Sequence, residues 1–347
     1  MPNRGETWAV ILAGGSGTRL SSLTTDPEGV VIPKQFCSLD GRRSLLQVSI
    51  EQIENHVPRE RIMVVVAADH QRWWEPQVAT LKEENVVVQP CGRGTACGVL
   101  LPLMHINRRN PEATVIVTPS DQHFDDQKPF HLSLMEALTY VRERPRLLVL
   151  LGMEPDSPVT DYGWITPAAD CDEAVQMVTS FVEKPDERAA QDLLLNGALW
   201  SSFTFVTSVG VLMSKFHLTV PWLTDRFEHA FEYGSWKKRN EFLPGLYEEL
   251  PPVDFSRNIL QKSHEEIHVL AVPPCGWTDL GTPERVAACV GKAGPCSITE
   301  EECQLPGRPP LDLGLMVGIV ERSDRGSPVL TRTGTGERRT PGTALQP

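Results

Sequence analysis

One stretch decides the fold: Trp8-Ala9-Val10-Ile11-Leu12-Ala13-Gly14-Gly15-Ser16-Gly17-Thr18-Arg19-Leu20. Its first six residues are apolar without alternation, which predicts a short strand buried on both faces. Three glycines within the next four residues predict a tight turn directly after that strand. Successive N–H groups of such a turn can converge on an anion, and Arg19 adds a permanent positive charge. The open alternative is a glycine hairpin with a surface arginine.

The spacing of the glycines excludes two familiar nucleotide-binding loops. A Walker A loop would close with Gly-Lys-Ser or Gly-Lys-Thr, and this turn does not. A dinucleotide-binding fingerprint would place a third glycine where Leu20 stands. The turn therefore predicts anion binding of another kind.

Composition and charge narrow the class of protein. The chain has 347 residues, of which 40% are hydrophobic and 22% charged, as expected of a soluble globular protein. A net charge of -12 argues against nucleic acid or an anionic membrane as the main partner, because both require a basic face. No secretion signal, membrane span or Cys-x-x-Cys pair is recognisable, so a cytoplasmic location with reduced thiols is expected.

Strand and helix patterns alternate along the chain. Unbroken apolar strands separated by helices indicate a parallel α/β sheet, to which two later strands add an antiparallel pair. Strands are predicted at 8–13, 61–68, 86–88, 114–119, 147–153, 161–165, 175–181 and 266–272. Helices are predicted at 44–53, 95–108 and 128–144, and after Thr282 as N-cap with Pro283 in the first turn.

Pro33-Lys34-Gln35-Phe36 follows the glycine turn after a short spacer. A Gly-Gly-x-Gly-Thr-Arg-Leu loop followed by Pro-Lys resembles the opening signature of the sugar-1-phosphate nucleotidyltransferases, and Pro-Lys-Gln-Phe most resembles their mannose-1-phosphate guanylyltransferase branch. The resemblance implies a Rossmann-like three-layer nucleotidyltransferase fold, with a mostly parallel central sheet and an added antiparallel sugar-binding subsite. It implies that Lys34 neutralises phosphate, and that the nucleoside triphosphate is held by Leu12, Ala13, Gly14, Gly15, Gly17, Thr18 and Arg19.

A second nucleotide contact is implied where the strand at 86–88 passes into the next helix. Arg93-Gly94-Thr95-Ala96 resembles the Arg-Asn-Thr-Ala segment that lies against the base in the guanylyltransferases, which implies roles for Gln89, Gly94 and Thr95. Glycine replaces the asparagine, so the identity of the base stays open. The alternative is a loop with a helix N-cap.

Two acidic residues resemble the metal ligands of the same family. Asp121 follows the strand at 114–119, at the sheet edge where ligands bind in α/β proteins, although a lone aspartate there is usually a helix cap. Pro-Ser-Asp-x-His and Trp-x-Asp-x-Gly are similar to the family's acidic segments, which implies that Asp121 and Asp279 bind Mg²⁺. This ion takes one or two carboxylates and completes its shell with phosphate and water oxygens.

The sugar side is implied by two further segments. Phe181-Val182-Glu183-Lys184-Pro185 resembles Phe-x-Glu-Lys-Pro, which implies Glu183 for sugar hydroxyls, Lys184 for the sugar phosphate and Gly163 for close backbone approach. The segment at 200–205 stands in the place of Trp-Asn-Ser-Gly-x-Phe, with Ser201 for the asparagine and Phe203 for the glycine. These two departures leave the sugar open, with Ser201 as the candidate contact.

The resemblance covers residues 8–285 and implies one nucleotidyltransferase domain, 1–292. Residues 293–347 are rich in proline and glycine without periodicity, which is typical of a flexible tail. The implied reaction transfers GMP from GTP to mannose-1-phosphate with Mg²⁺, giving GDP-mannose and pyrophosphate. Its catalytic residues would be Arg19, Lys34, Asp121, Lys184 and Asp279.

Three alternatives stay open. The same chemistry could use glucose-1-phosphate with UTP or dTTP. The isoprenoid cytidylyltransferases share the glycine loop with Pro-Lys-Gln but are typically much shorter. A non-catalytic nucleotide-sugar sensor would fit the altered residues Ser201 and Phe203. The oligomeric state is also open, a homodimer being one option.

Overall fold

A computed structural model describes residues 6–26, 28–168, 174–232 and 236–293. All strands of this part of the chain belong to one sheet. They are β1 (Thr7–Ala13), β2 (Ile62–Ala67), β3 (Val86–Gln89), β4 (Thr114–Pro119), β5 (Leu148–Met153), β6 (Gly163–Pro167), β7 (Val175–Glu183), β8 (Leu199–Ser208) and β9 (Ile267–Val272).

Helices fill most of the connections between these strands. The α-helices are α1 (Ser21–Thr24), α2 (Leu45–Glu54), α3 (Gln71–Val78), α4 (Gly94–Arg109), α5 (Gln127–Glu143), α6 (Glu187–Leu195), α7 (Val209–Thr219), α8 (Pro221–Glu232), α9 (Trp236–Glu249) and α10 (Pro283–Ala293). A short π-helical segment, Ser256–Leu260, lies between α9 and β9.

The sheet is parallel in one half and mixed in the other. Its order is β3-β2-β1-β4-β8-β5-β9-β7-β6. The pairs among β3, β2, β1 and β4 are parallel, as is β5 with β9. β8 runs antiparallel to both β4 and β5, and the β6–β7 hairpin adds the predicted antiparallel extension. The predicted parallel arrangement is therefore found among the first four strands in the sheet order, β3, β2, β1 and β4.

Two hydrophobic cores cover the two faces of the sheet. β1 alternates between them, with Ile11 in one core and Val10 in the other. α2, α3 and α5 pack on the first face, and α4, α7 and α8 pack on the second. A strand buried on both faces needs apolar side chains at every position, which accounts for the unbroken run in the sequence. The predicted three-layer α/β architecture is confirmed.

The predicted strands and helices are present with small shifts at their ends. Ser44 caps α2 as predicted: its hydroxyl accepts the N–H of Gln47, and the Gln47 side chain accepts the N–H of Ser44, which forms a capping box. α10 begins at Pro283, as predicted. β8 is the strand that sequence analysis missed. The predicted tail lies outside the described residues, apart from Ala293 at the end of α10. Within the described part, no helix has the length and apolar character needed to cross a bilayer.

A pair of histidines should make the stability of the fold depend on pH. His56 Nε2 lies 2.8 Å from Nδ1 of His131. Burial, with a smaller effect of His131, lowers the pKa of His56 to about 4, and burial also lowers that of His131. The unfolded chain binds a proton near pH 6.5 that the folded chain resists, so the free energy of unfolding should fall between about pH 6.5 and about pH 4.

The variant His56→Gln tests this prediction. Urea unfolding at about pH 7 and about pH 5 should show a smaller loss of stability in the variant than in the wild type. The reason is that the variant lacks one of the histidines whose pKa is lowered by folding. Equal losses in the two proteins would show that His56 titrates normally in the folded state.

Candidate active site

The carboxyl ends of β1 and β4 meet at one edge of the sheet, where the glycine turn and Asp121 lie. Ser120 holds the two ends together, since both its N–H and its hydroxyl donate to the carbonyl of Leu12, at 3.1 and 2.8 Å. Asp121 therefore begins its loop beside the last residues of β1. Parallel neighbouring strands produce this arrangement whenever polar residues follow both of them.

The glycine turn is shaped by the Pro-Lys-Gln-Phe segment packed against it. The Gln35 side-chain amide donates to the carbonyls of Ala13 and Gly15 at 2.8 and 2.7 Å. Gly17 has a left-handed φ of 61°, and a Cβ there would lie 2.9 Å from the backbone nitrogen of Lys34. The second motif thus closes the turn from behind, and Gln35 is a structural residue that its position in the motif could have indicated.

A cavity of about 190 Å³ opens beside this turn. Among the described residues its wall is formed by Arg19, Lys34, Pro119, Asp121, Gln122, Asp161, Tyr162, Gly163, Glu183, Ser201, Ser202, Phe203, Ser256, Trp277 and Asp279. The structure therefore brings together seven predicted site residues from distant parts of the sequence: Arg19, Lys34, Asp121, Gly163, Glu183, Ser201 and Asp279.

Lys34 links the two predicted metal ligands. Its ammonium lies 3.0 Å from Oδ2 of Asp121 and donates to the backbone carbonyl of Asp279 at 2.5 Å. The Lys34 side chain is only 7% exposed, so this contact is poorly screened by solvent. A lysine in this place joins the loop after β4 to the loop before α10.

The two acidic loops are also paired through their backbones. His123 and Thr278 exchange two hydrogen bonds, of 2.9 and 3.0 Å, and the N–H of Asp126 donates to the carbonyl of Cys275. This short antiparallel bridge fixes the loop of Asp121 against that of Asp279. Two carboxylates far apart in sequence therefore reach one cavity through main-chain pairing.

Asp279 is held by several donors at once. The Tyr162 hydroxyl, the Gly281 N–H and Nη1 of Arg285 each donate to its Oδ1 at 2.8 Å. Its Oδ2 lies 4.0 Å from Nη2 of Arg19. Burial raises the pKa of the Tyr162 phenol, and the Asp279 carboxylate adds to this, so the hydroxyl keeps the proton that it donates.

The sugar-side residues form one wall of the cavity. A Cβ on Gly163 would lie 2.9 Å from Oε2 of Glu183 and 3.3 Å from Cβ of Ser201, so a larger residue here would have to displace the Glu183 side chain. The Glu183 side chain is 8% exposed and accepts a bond from Nζ of Lys184 at 2.7 Å. Lys184 itself is about half exposed and lies outside the cavity wall. Its contact with the cavity runs through Glu183.

Backbone strain is concentrated at this site. Among the described residues, the non-glycine residues with positive φ are Lys184, Phe203 and Leu280, with φ of 52°, 61° and 49°. Each lies in or next to the cavity wall, and each such conformation costs on the order of 1–3 kcal/mol. Phe203 keeps the left-handed backbone that the family's glycine would adopt freely.

The residues predicted to bind the base are packed against another part of the chain. Gly94 has φ of 81°, and a Cβ there would lie 2.2 Å from the Val253 carbonyl oxygen. The N–H of Phe255 donates to the Thr95 hydroxyl at 2.8 Å. Gln89 is buried beside Gly14, and its amide donates to the Tyr247 hydroxyl at 3.1 Å. Of the residues predicted for the nucleotide, Arg19 alone contributes to the cavity wall within the described chain.

Several site residues were missing from the sequence analysis. Three of the six in the cavity wall directly precede or follow a residue that was named, so adjacency was the available signal for half of them. Those in the cavity wall are Asp161, Tyr162, Gln122, Ser202, Ser256 and Trp277. Arg285 lies in the first turn of α10 and had no signal, because its role depends on a contact with Asp279.

The charges of the cavity wall suit a divalent cation. Within the part of the chain that the structure describes, its carboxylates belong to Asp121, Asp161, Glu183 and Asp279, and its cations to Arg19 and Lys34. Phosphorylated ligands would be repelled by this excess of negative charge unless a metal ion balanced it. In the described part of the chain no three His, Cys, Asp or Glu side chains cluster around a common point. Two aspartates with phosphate oxygens are the ligand set that Mg²⁺ accepts.

The fold and this cavity define the class of the protein. The chain belongs to the nucleotidyl transferase family, whose profile matches residues 8–289. Identity to curated relatives is 30% over 290 residues for the Escherichia coli mannose-1-phosphate guanylyltransferase, covering 79% of this chain and 58% of that protein. It is 32% over 283 residues for the Klebsiella pneumoniae protein of that name, with the same coverage.

A solved structure shares the same architecture. It comes from Thermus thermophilus and is described as a mannose-1-phosphate geranyltransferase. It superimposes with a TM-score of 0.69 at 25% identity, over 80% of this chain and 76% of that one. The chain spans between 40 and 58% of the length of the curated relatives it matches.

Proposed function

We propose that the chain transfers a nucleotidyl group from a nucleoside triphosphate to a sugar-1-phosphate. One observation carries the proposal: a single cavity joins the arginine of the glycine turn, the lysine of the second motif and the two aspartates to the predicted sugar wall. Each group comes from a separate segment of the chain, and together they supply what two phosphorylated reactants need. A phosphate oxygen of the sugar phosphate would attack the α-phosphorus, and the bond from that phosphorus to the β-phosphate oxygen would break, releasing pyrophosphate.

The protein's part in this reaction is alignment and charge compensation. Arg19, 58% exposed at the mouth of the cavity, is placed to meet the departing phosphates, and Lys34 lies deeper, where the reacting phosphates would converge. Asp121 and Oδ2 of Asp279 would hold Mg²⁺, which when bound draws phosphate oxygens together and offsets their charge. The sugar phosphate is already ionised near pH 7, so the site needs no general base.

The sugar wall favours recognition by hydroxyl contacts. Glu183 offers a carboxylate, and Ser201 a hydroxyl, in the cavity wall. The relatives named mannose-1-phosphate guanylyltransferase support GTP and mannose-1-phosphate as the pair. Lys184 remains a candidate for the sugar phosphate, since its ammonium is exposed and held at the cavity edge by Glu183.

A matrix of four nucleoside triphosphates against several sugar-1-phosphates, with Mg²⁺ and pyrophosphate as the readout, tests the proposal. We expect the highest rate with GTP and mannose-1-phosphate, and loss of the signal when EDTA removes the metal. A highest rate with UTP or dTTP and glucose-1-phosphate would support the same reaction but with these substrates in place of GTP and mannose-1-phosphate. No pyrophosphate from any pair would favour a nucleotide-sugar sensor.

A further inference from the structure

Arg285 makes a contact with Asp279 that no motif indicates. It lies in the first turn of α10, and its Nη1 donates to Oδ1 of Asp279 at 2.8 Å. The same guanidinium lies 4.6 Å from the centre of the Tyr162 ring. The Arg285 side chain is 22% exposed, so most of it is enclosed by these partners. It is therefore held in place both by an aromatic face and by a carboxylate.

The donors around Asp279 converge on one of its two oxygens. Tyr162, Gly281 and Arg285, which we call the Asp279 clamp, all donate to Oδ1. A carboxylate oxygen has about two lone pairs, so three donors saturate Oδ1. Arg19 lies 4.0 Å from Oδ2. The clamp thus distinguishes two oxygens that are chemically equivalent in a free carboxylate.

The parts of the clamp restrain one another. Tyr162 is buried, and its ring packs against Trp200 and Trp277 with centroids 5.0 and 5.2 Å away. A Cβ on Gly281 would lie 2.4 Å from Oδ2 of Asp279, so the backbone approaches the carboxylate as closely as glycine permits. Rotation of the carboxylate would break all three bonds to Oδ1 at once. The orientation of the Asp279 carboxylate is therefore fixed by these three hydrogen bonds, whose donor Tyr162 is itself held by packing.

We propose, on the premise of the metal-dependent transfer proposed above, that Arg285 is a positioning residue that makes Asp279 a one-oxygen ligand. With Oδ1 saturated, only Oδ2 can reach a cation in the cavity. Mg²⁺ requires near-ideal octahedral geometry, whereas Ca²⁺ accepts carboxylates through both oxygens in a flexible shell. The clamp consequently favours Mg²⁺ over Ca²⁺.

Calorimetric titration of Mg²⁺ and of Ca²⁺ into the nucleotide-free protein tests this inference, and a wild type that binds neither ion without nucleotide overturns it. Removing a positive charge beside Asp279 strengthens the binding of both ions, so the ratio of their dissociation constants cancels most of that effect. In Arg285→Met we expect the ratio, Kd for Mg²⁺ over Kd for Ca²⁺, to rise about tenfold, the lower end of the effect that outer-shell partners of metal ligands have on metal affinity. Arg285→Lys keeps the charge without the planar fork and should give a smaller rise.

Arg226→Met is the matched control, because it removes another arginine whose Nη1 lies 3.1 Å from a carboxylate, that of Glu249. Its ratio should equal that of the wild type. A change of less than twofold in folded Arg285→Met, or an equal change in the control, overturns the inference. If Arg285→Met does not fold, the Kd ratio is measured in Arg285→Lys and Tyr162→Phe instead. A ratio equal to that of the wild type in both variants overturns the inference.

The proposed function is judged separately by pyrophosphate release from the wild type. Normal pyrophosphate release with no shift of the Kd ratio in Arg285→Met would reject the role of the Asp279 clamp and support the proposed reaction. A shift of the Kd ratio in Arg285→Met, with no pyrophosphate release from the wild type, would support the role of the clamp and reject the proposed reaction.

Discussion

Asp121→Asn should lower the rate of pyrophosphate release by roughly 10³-fold while the protein stays folded. The change removes the negative charge of a metal ligand, and a metal ion that offsets phosphate charge is worth several kcal/mol in the transition state. Lys34 keeps its bonds to the carbonyls of Asp279 and Leu280, but its buried ammonium loses a carboxylate, so the free energy of unfolding should fall by about 1–3 kcal/mol. Steady-state kinetics and a thermal melt measure the two quantities.

Asp126→Asn is the matched control for this variant. It makes the same chemical change five residues later, where the Asp126 side chain caps α5 by accepting the N–H of Lys128. Asparagine caps helices about as well as aspartate, so rate and stability should stay near those of the wild type. A folded Asp121→Asn protein that works as fast as this control would remove Asp121 from the metal site.

Gly94→Asn should lower the free energy of unfolding by about 3 kcal/mol. Asparagine tolerates a positive φ, but its Cβ would meet the Val253 backbone at 2.2 Å, and a backbone cannot move aside as a flexible side chain can. The start of α4 would separate from that segment. Three hydrogen bonds would be lost, each worth about 1 kcal/mol: Ala96 to Val253, Val253 to Arg93, and Phe255 to Thr95.

Gly29→Asn separates the steric effect from the effect of φ. Gly29 has φ of 83°, close to that of Gly94, and a Cβ there would meet nothing within 4 Å. Urea unfolding should show a loss below about 1 kcal/mol for this variant. If the two variants were equally stable, α4 would not be packed on Val253, and Gly94 would be free to face a nucleotide base, as the resemblance implied.

The parallel half of the sheet could be predicted because its strands are buried on both faces. Such strands leave a short run that is apolar or nearly so, as in β1, β2 and β4, and a run of this length bounded by turn residues favours a strand over a helix. β8 was missed for the opposite reason. Its sequence, Leu199–Ser208, mixes serine and threonine with aromatic residues, and hydroxyls such as those of Ser202 and Thr204 are buried because neighbouring chain segments bond them.

The candidate site divides in the same way. Residues in compact motifs that follow a strand, such as Lys34 and Asp121, could be placed at the sheet edge from sequence. Contacts between distant segments could not be foreseen, because no local pattern records them: Arg285 on Asp279 and Val253 against Gly94 depend on the whole fold. Roles in binding, including those of Gln89, Thr95 and Lys184, stay predictions.

The central place of β8 has a consequence for synthesis on the ribosome. The first four strands of the sheet order are complete once Pro119 has emerged, yet the partner of β4 is made only at Leu199–Ser208. At roughly 5–20 residues per second, the outer edge of β4 waits about 4–16 s for it. During that interval the unpaired edge of an apolar strand is open to pairing with other chains, a hazard that ends when β8 closes it.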